Sequence, residues 1–166
     1  MMTTSTRLKQ FLSGPVEAAS GGPAGRGNGG DVPVLGALPV DNAEFSGVRY
    51  QAPEGYVVRE LRGDRMRTVA GLYDEFAAAF QFPYYFGENK DAFDECLRDL
   101  DDFVGRAPGY VVAIRDADQV LADQPDQRDW FTEAMRDNAR YWSVRDTVFR
   151  VVLQDKPAGE AVALTL

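Results

Sequence analysis

Two apolar runs in the C-terminal half of the sequence constrain the fold most strongly. They are Tyr110–Ile114 (YVVAI) and Thr147–Leu153 (TVFRVVL), and both are rich in β-branched residues. Continuous apolar runs of this kind are typical of strands buried on both faces, which occur mainly in parallel sheets. Parallel neighbours need a long crossover, and the helix predicted over Arg128–Trp142 supplies one between the two runs. The sequence therefore predicts an α/β fold in which helices cover a small, mainly parallel sheet.

The residues before these runs continue the alternation of strands and helices. Tyr56–Leu61 is predicted as a strand, and Arg65–Phe80 as a helix because its apolar residues recur mostly at intervals of three and four. A connector, Gln81–Gly87, then leads to a second predicted helix, Lys90–Phe103. The remaining predictions are strands at Val48–Gln51 and Ala161–Leu166 and a short helix at Arg7–Leu12.

The first third of the chain differs in composition from the rest. Residues Ser13–Asn42 contain 8 Gly and 4 Pro among 30 residues, and the part GGPAGRGNGGD is typical of a flexible linker. We therefore expect residues 1–45 to form an N-terminal extension with a Gly/Pro-rich linker. Residues 46–166 are expected to form the compact domain.

Charge and residue usage exclude several classes of function. The formal net charge is −8, which disfavours nucleic acid or an anionic membrane as a direct partner and suits a basic one. The chain has one cysteine and no histidine, so a disulfide within the chain, a His-assisted nucleophile and a Cys/His zinc site are excluded. With no apolar leader at the N-terminus, we expect a cytoplasmic, non-enzymatic protein without a cofactor.

Acidic residues are concentrated in one predicted helix. Glu88–Asp102 contains seven acids and two bases, Lys90 and Arg98. Asn89 is predicted to cap the helix, and Gly87 to supply an unusual backbone angle just before it. Helical rotation then predicts a core face of Ala92, Phe93, Cys96, Leu97 and Leu100, and an opposite face of Asp91, Asp94, Glu95, Arg98 and Asp102.

This acidic face is unfavourable for helix stability. Asp91 and Glu95 are like charges four residues apart, and Asp99, Asp101 and Asp102 lie near the helix C-terminus, where the dipole disfavours them. A solvated helix face explains part of the pattern, but folding does not require this concentration of charge. We therefore interpret the face as functional.

Four aromatic residues precede the helix in the connector. Phe82 and Phe86 are expected to anchor the connector in the core, whereas Tyr84 and Tyr85 are candidates for exposure. A tyrosine beside carboxylates is typical of a protein-binding hot spot, because it combines a large contact area with charge complementarity.

The segment from Pro83 to Leu97 resembles the motif of the barstar family of intracellular ribonuclease inhibitors. The resemblance lies in the proline, the Tyr-Phe pair, Gly-x-Asn, the aspartate Asp91 and the apolar spacing that follows. It implies a barstar-like fold with a three-stranded sheet over Tyr56–Leu166. The implied partner is a basic ribonuclease of the barnase-like, extracellular type, whose active site the acidic helix and aromatic loop would occlude.

The resemblance also implies the partner-binding residues. They are Tyr85, Gly87, Asn89, Asp91, Asp94 and Glu95, together with an acid from the third helix for which Glu133 and Asp137 both remain candidates. Two positions depart from the family pattern. Asp94 and Leu100 stand where the family has aromatic residues, so the target ribonuclease is expected to differ.

Two further hypotheses remain open. The first is an adaptor, in which the domain binds another basic protein and residues 1–45 act as a tether. The second is a metal protein, in which Asp91, Asp94, Glu95 and Asp99 offer oxygen ligands to Mg²⁺ or Ca²⁺. The acids match no calcium-binding loop motif, and a carboxylate-pair glycosidase would need a sugar cleft for which the sequence gives no sign.

Overall fold

A computed structural model of the chain describes residues 5–14 and 33–166. Within these ranges the chain forms six strands and six α-helices, with 3₁₀ turns between some of them. In chain order they are β1 (Thr6–Arg7), α1 (Leu8–Leu12), β2 (Leu35–Ala37), α2 (Asn42–Phe45), β3 (Val57–Arg62), α3 (Val69–Phe80), α4 (Lys90–Arg98), α5 (Leu100–Phe103), β4 (Gly109–Arg115), α6 (Arg128–Ser143), β5 (Val148–Leu153) and β6 (Val162–Thr165).

The strands form one sheet in the order β1-β6-β2-β5-β4-β3, and every neighbouring pair is parallel. Strand β4 is interior, with Tyr110 in register with Val57 of β3 and with Phe149 of β5. This interior position explains the apolar runs of β4 and β5, since each strand has helices on both faces. The α/β class and the parallel sheet are confirmed.

The predicted number of strands is wrong, because the sheet of the described residues has six strands rather than three. Strand β6 joins the sheet through β2, and β1 adds only two residues at its edge, with Thr6 opposite Leu164. Both β1 and β2 come from residues 1–45, so part of that segment belongs to the sheet. The linker stretch GGPAGRGNGGD lies outside the described residues, and the boundary at residue 45 stays a prediction.

The prediction of a strand at Val48–Gln51 is also wrong. Residues Ser46–Tyr50 form a 3₁₀ helix that follows α2 directly. Phe45 and Val48, three residues apart, are both buried, so the apolar spacing there is helical rather than alternating. The predicted short helix at Arg7–Leu12 is present as α1.

Helices lie on both faces of the sheet and create two hydrophobic cores. One face carries α3, α4 and α6, which pack on Tyr110, Val112 and Phe149 of the central strands. The other face is covered by α1, α2 and the 3₁₀ helix, which pack on Val111 and Val152. The N-terminal residues therefore shield the sheet face opposite the acidic helix.

An ion pair fixes helix α3 to the end of β3. Arg62 donates through Nε to Glu75 Oε2 at 2.8 Å, and its backbone N–H donates to the same oxygen at 3.0 Å. Burial alone would raise the pKa of Glu75, but these hydrogen bonds and the Arg62 charge outweigh it and lower the pKa. The ionised pair anchors the helix that leads into the connector.

The predicted helix over Lys90–Phe103 is divided at Asp99 into α4 and α5. Asp99 leaves the helical region, with φ −111° and ψ 20°. The break moves Asp101 and Asp102 from the end of one helix to the first turn of the next, where the dipole favours negative charge. The break therefore relieves the unfavourable dipole interaction of Asp101 and Asp102, whereas Asp99 stays at the C-terminal end of α4.

Candidate functional site

The connector between α3 and α4 combines two anchored and two exposed aromatics. Gln81 ends α3 in the left-handed conformation, with φ 58°. Phe82 and Phe86 pack against the core, with their ring centroids 5.1 Å apart. Tyr84 is 100% exposed and Tyr85 63% exposed. The connector therefore presents two tyrosines to solvent on a rigid base, as the sequence predicts.

Asn89 caps the start of α4 as predicted, but the residue with a positive φ before the cap is not Gly87. Asn89 Oδ1 accepts a hydrogen bond from the backbone N–H of Ala92 at 2.8 Å. The left-handed backbone falls on Glu88, with φ 54°, and not on Gly87. The prediction for Gly87 is wrong because the turn needs positive φ one residue later, immediately before the cap.

Helix α4 is held against α6 along its whole length. At its start, Lys90 Nζ donates to Gln127 Oε1 at 2.7 Å and lies 4.9 Å from the ring centroid of Trp130. Near its end, Trp142 Nε1 donates to the backbone oxygen of Leu97 at 3.0 Å. The two helices therefore run side by side in the same direction. The predicted core face is confirmed for four buried residues, Phe93, Cys96, Leu97 and Leu100, and Ala92 is half-buried.

Three acids on the other side of α4 differ in exposure. Asp91 and Glu95 are exposed, whereas Asp94 is half-buried at the junction with α6. Burial raises the pKa of the Asp94 carboxyl, Arg98 acts against that rise, and the charges of Asp137 and Asp91 add to it. Burial at this junction therefore disfavours the ionised form of Asp94.

Both candidate acids on α6 are exposed. The charge of Asp137 contributes to the raised pKa of Asp94. Glu133 and Asp137 both act on the pKa of Arg136. Asp137 also accepts a hydrogen bond from Arg140 Nη1 at 2.9 Å. Both acids therefore stay candidates for the partner contact, and Asp137 is the one whose charge acts on an acid of α4.

A second flank of the acidic face lies around Tyr85. Partial desolvation raises the pKa of the Tyr85 phenol, and the negative charges of Asp99 and Asp102 raise it further. The rings of Tyr84 and Tyr85 are in edge contact, with centroids 5.8 Å apart. The partner-binding residues inferred from the sequence do not include Tyr84, Asp99 or Asp102, although the density of acids in this stretch is a signal for the two aspartates.

The acids of α4 are set apart by their density on one side of the helix. Among residues 5–14 and 33–166, Asp91, Asp94 and Glu95 form no ion pair. Most other acids in these ranges are unpaired as well, and those paired with arginines are Glu60, Glu75, Asp123, Asp137 and Glu160. The α4 carboxylates therefore form a concentrated negative surface, which only the nearby charge of Arg98 offsets in part.

Two further properties of the described residues bear on the open hypotheses. No three His, Cys, Asp or Glu side chains in this part of the chain are arranged to hold a metal ion. The four acids of the metal hypothesis, among them Asp91 and Asp99, thus do not converge. None of the helices that the structure describes has the length and apolar character to cross a membrane.

A scan against protein-family models matches residues 56–154 to the family described as Barstar (barnase inhibitor). The match spans more than half of the chain's 166 residues. The chain belongs to the Barstar family. A search of curated proteins returned no match.

The Barstar match includes every residue of the candidate site. It begins just before β3 and ends just after β5, so it contains the connector, α4 and α6. Strands β1, β2 and β6 lie outside it. The family resemblance drawn from the Pro83–Leu97 motif is therefore confirmed, and the additional strands are features of this chain beyond the matched region.

The two departures from the Barstar pattern, Leu100 and Asp94, differ in burial. Leu100, which stands at an aromatic position of the family, is 0% exposed and belongs to the core beneath α4. It therefore has no surface to offer a partner. Asp94, at the other departure, keeps part of its surface exposed.

We expect Asp94→Asn to raise the melting temperature at neutral pH. The pKa of Asp94 is raised in the folded state, so the ionised carboxyl destabilises the fold once the pH exceeds the unfolded value of about 3.9. Below that pH the carboxyl is protonated in both states, and the advantage of Asn should disappear. Thermal melts at pH 7 and pH 3 measure this. Asp74→Asn, on the exposed side of α3, is the matched control and should show no such difference, and an equal gain from Asp94→Asn at both pH values would contradict the assignment.

Proposed function

We propose that this protein inhibits a ribonuclease by inserting the acidic face of α4 and the adjoining tyrosines into a basic RNA-binding active site. The observation that supports this most strongly is the concentration of Asp91, Asp94 and Glu95 on one side of α4, close to the exposed Tyr84 and Tyr85. Membership of a family described as barnase inhibitors gives the class of partner. Acids left without internal partners are available to cations on another protein.

The physical basis of inhibition is imitation of RNA phosphates. A ribonuclease binds its substrate through Arg and Lys side chains that contact phosphate oxygens, and a carboxylate is an equivalent acceptor for a guanidinium fork. Helix α4 is braced by α6 and capped by Asn89, so its acids are preorganised and little entropy is lost on binding. This mode of action requires neither a catalytic residue nor a cofactor.

The proposed contacts follow the positions of the side chains. Asp91 and Glu95 lie at the exposed centre, Asp94 and Asp137 at the junction with α6, and Tyr85 at the connector edge. Of the two candidates on α6, we favour Asp137 over Glu133 as the partner contact, because the charge of Asp137 acts on the pKa of Asp94. Gly87 and Asn89 act indirectly, since the Asn89 side chain caps α4 and donates to the backbone oxygen of Gly87 in the turn from which the helix starts.

The departures in aromatic content favour a ribonuclease with an unusually basic cleft. With Asp94 on the surface and Leu100 in the core, binding would depend more on charge and less on aromatic packing. Charge-dominated association is fast at low ionic strength and is weakened by salt.

Titration of a panel of small basic microbial ribonucleases with the purified protein tests the proposal. We expect stoichiometric loss of RNA-cleaving activity for at least one member, with an association rate that falls steeply between about 20 mM and 200 mM salt. Absence of inhibition for every member at micromolar protein would contradict the proposed function.

A further inference from the structure

Arg98 is a base placed within the acidic surface. It lies one turn after Asp94 on α4 and is half-buried. The other base of α4, Lys90, is engaged by Gln127 and Trp130. A positive charge in this place weakens the attraction of the surface for a uniformly basic partner, so its presence requires an explanation.

The guanidinium of Arg98 keeps its hydrogen-bonding capacity free. Among the residues that the structure describes, it forms no hydrogen bond and no ion pair, although it is near enough to act on the pKa values of Asp94 and Asp99. An arginine side chain has five N–H donors that require acceptors. The donors of Arg98 are therefore not engaged by any of the described residues, and they are available to an acceptor on another molecule.

An aromatic support lies beneath the Arg98 guanidinium. Its central carbon lies 5.9 Å from the ring centroid of Tyr141 on α6, and Arg145 lies 3.7 Å from the same centroid. Arg145 also donates to the backbone oxygen of Tyr141 at 2.8 Å, which fixes it in place. The ring thus lies near two cations, and its position on α6 places the Arg98 guanidinium at the α4–α6 junction, where it acts on Asp94.

We propose that Arg98 is a specificity-determining residue that binds a carboxylate inside the active site of the target ribonuclease. This inference rests on the proposed function. An enzyme that cleaves RNA by proton transfer needs a general base, for which a carboxylate is a common choice, set among the cations that bind phosphate. A surface of carboxylates with one free guanidinium is complementary to such a mixed cleft.

The same arrangement discriminates between partners. A ribonuclease with a cation opposite Arg98 would bring two like charges together in a poorly solvated contact, which costs affinity. A ribonuclease with a carboxylate at that position gains a charge-assisted hydrogen bond. Arg98 therefore selects among basic ribonucleases that the acids of α4 would otherwise bind alike.

The experiment measures binding to a ribonuclease that the wild-type protein inhibits. Calorimetric titration compares wild-type protein with Arg98→Met, which keeps the unbranched apolar stem but removes the guanidinium group, and with Arg98→Glu. Arg136→Met is the matched control, because Arg136 is paired with Glu160 on another side of α6. Each variant is also titrated against forms of the ribonuclease in which one active-site Asp or Glu is replaced by its amide.

We expect Arg98→Met to weaken binding roughly tenfold to a hundredfold and Arg98→Glu to weaken it further, with Arg136→Met near wild type. The loss caused by Arg98→Met should shrink to within about twofold against one amide form of the ribonuclease, as a direct contact requires. Unchanged binding by Arg98→Met, tighter binding by Arg98→Glu, or a loss that no amide form abolishes would each overturn the assignment of Arg98 while leaving inhibition intact. If the wild-type protein inhibits no ribonuclease, the proposed function fails and the inference fails with it.

Discussion

Asp91→Ala and Glu95→Ala should each weaken inhibition of the target ribonuclease by roughly thirtyfold to several thousandfold. Both carboxylates are exposed and lack an ion pair within the described part of the chain, so both are available to form ion pairs with a bound protein. Removing one member of a charge pair that becomes buried in an interface costs about 2–5 kcal/mol. The inhibition constant of each purified variant measures the effect.

The same variants should hardly change the stability of the free protein. Substitution at exposed helical positions typically changes the free energy of unfolding by less than about 0.5 kcal/mol, and Ala relieves the repulsion between Asp91 and Glu95. Asp74→Ala on α3 is the control for removing an exposed acid and should alter neither property. If the α4 variants lost stability but retained inhibition, the acidic face would be structural.

Leu12→Ala should destabilise the whole domain by about 2–5 kcal/mol. Leu12 is 0% exposed on α1 and belongs to the core that covers the second face of the sheet. Truncating a buried leucine removes transfer free energy and leaves a cavity, which gives a loss of this size. For a chain of this length the melting temperature should fall by roughly 4–20 °C, as followed by circular dichroism.

Lys9→Ala on the exposed side of α1 is the matched control for this prediction. It should leave the melting temperature within about 2 °C of wild type. An equally small effect of Leu12→Ala would mean that residues 5–14 do not fold cooperatively with the sheet. That result would restore the view of the N-terminal residues as an independent extension.

The elements around the site follow from local sequence patterns. The core face of α4 repeats at helical spacing, Asn89 is a strong capping residue, and the apolar runs of β4 and β5 mark buried parallel strands. Each of these signals lies within a single segment of the chain. These elements can therefore be predicted from the sequence without knowledge of tertiary contacts.

The missed strands have no comparable local signal. Strand β1 contains two residues, and its partner β6 lies at the opposite end of the chain. Strand β2, with the sequence LGA, lies in a Gly/Pro-rich context and is stabilised by its neighbours β5 and β6 rather than by its own propensity. Long-range pairing of this kind depends on the assembled sheet.

The choice between Asp137 and Glu133 shows the same limit within the site. The two residues are four apart on α6 and are equivalent by spacing alone. Their distinction depends on how α6 is rotated against α4, which the contacts of Trp130 and Trp142 determine. The lack of pairing at Arg98 likewise appears only once α6 is in place.

The central claim is that the acidic face of α4 occupies the ribonuclease cleft that binds RNA phosphates. The most direct test is a competition between this protein and a mononucleotide that occupies the phosphate site of the inhibited ribonuclease. The account predicts that the apparent Kd of the complex rises in proportion to the mononucleotide concentration once that site is saturated. An apparent Kd that stays constant at saturating mononucleotide would show that inhibition acts from another surface, and would contradict the account.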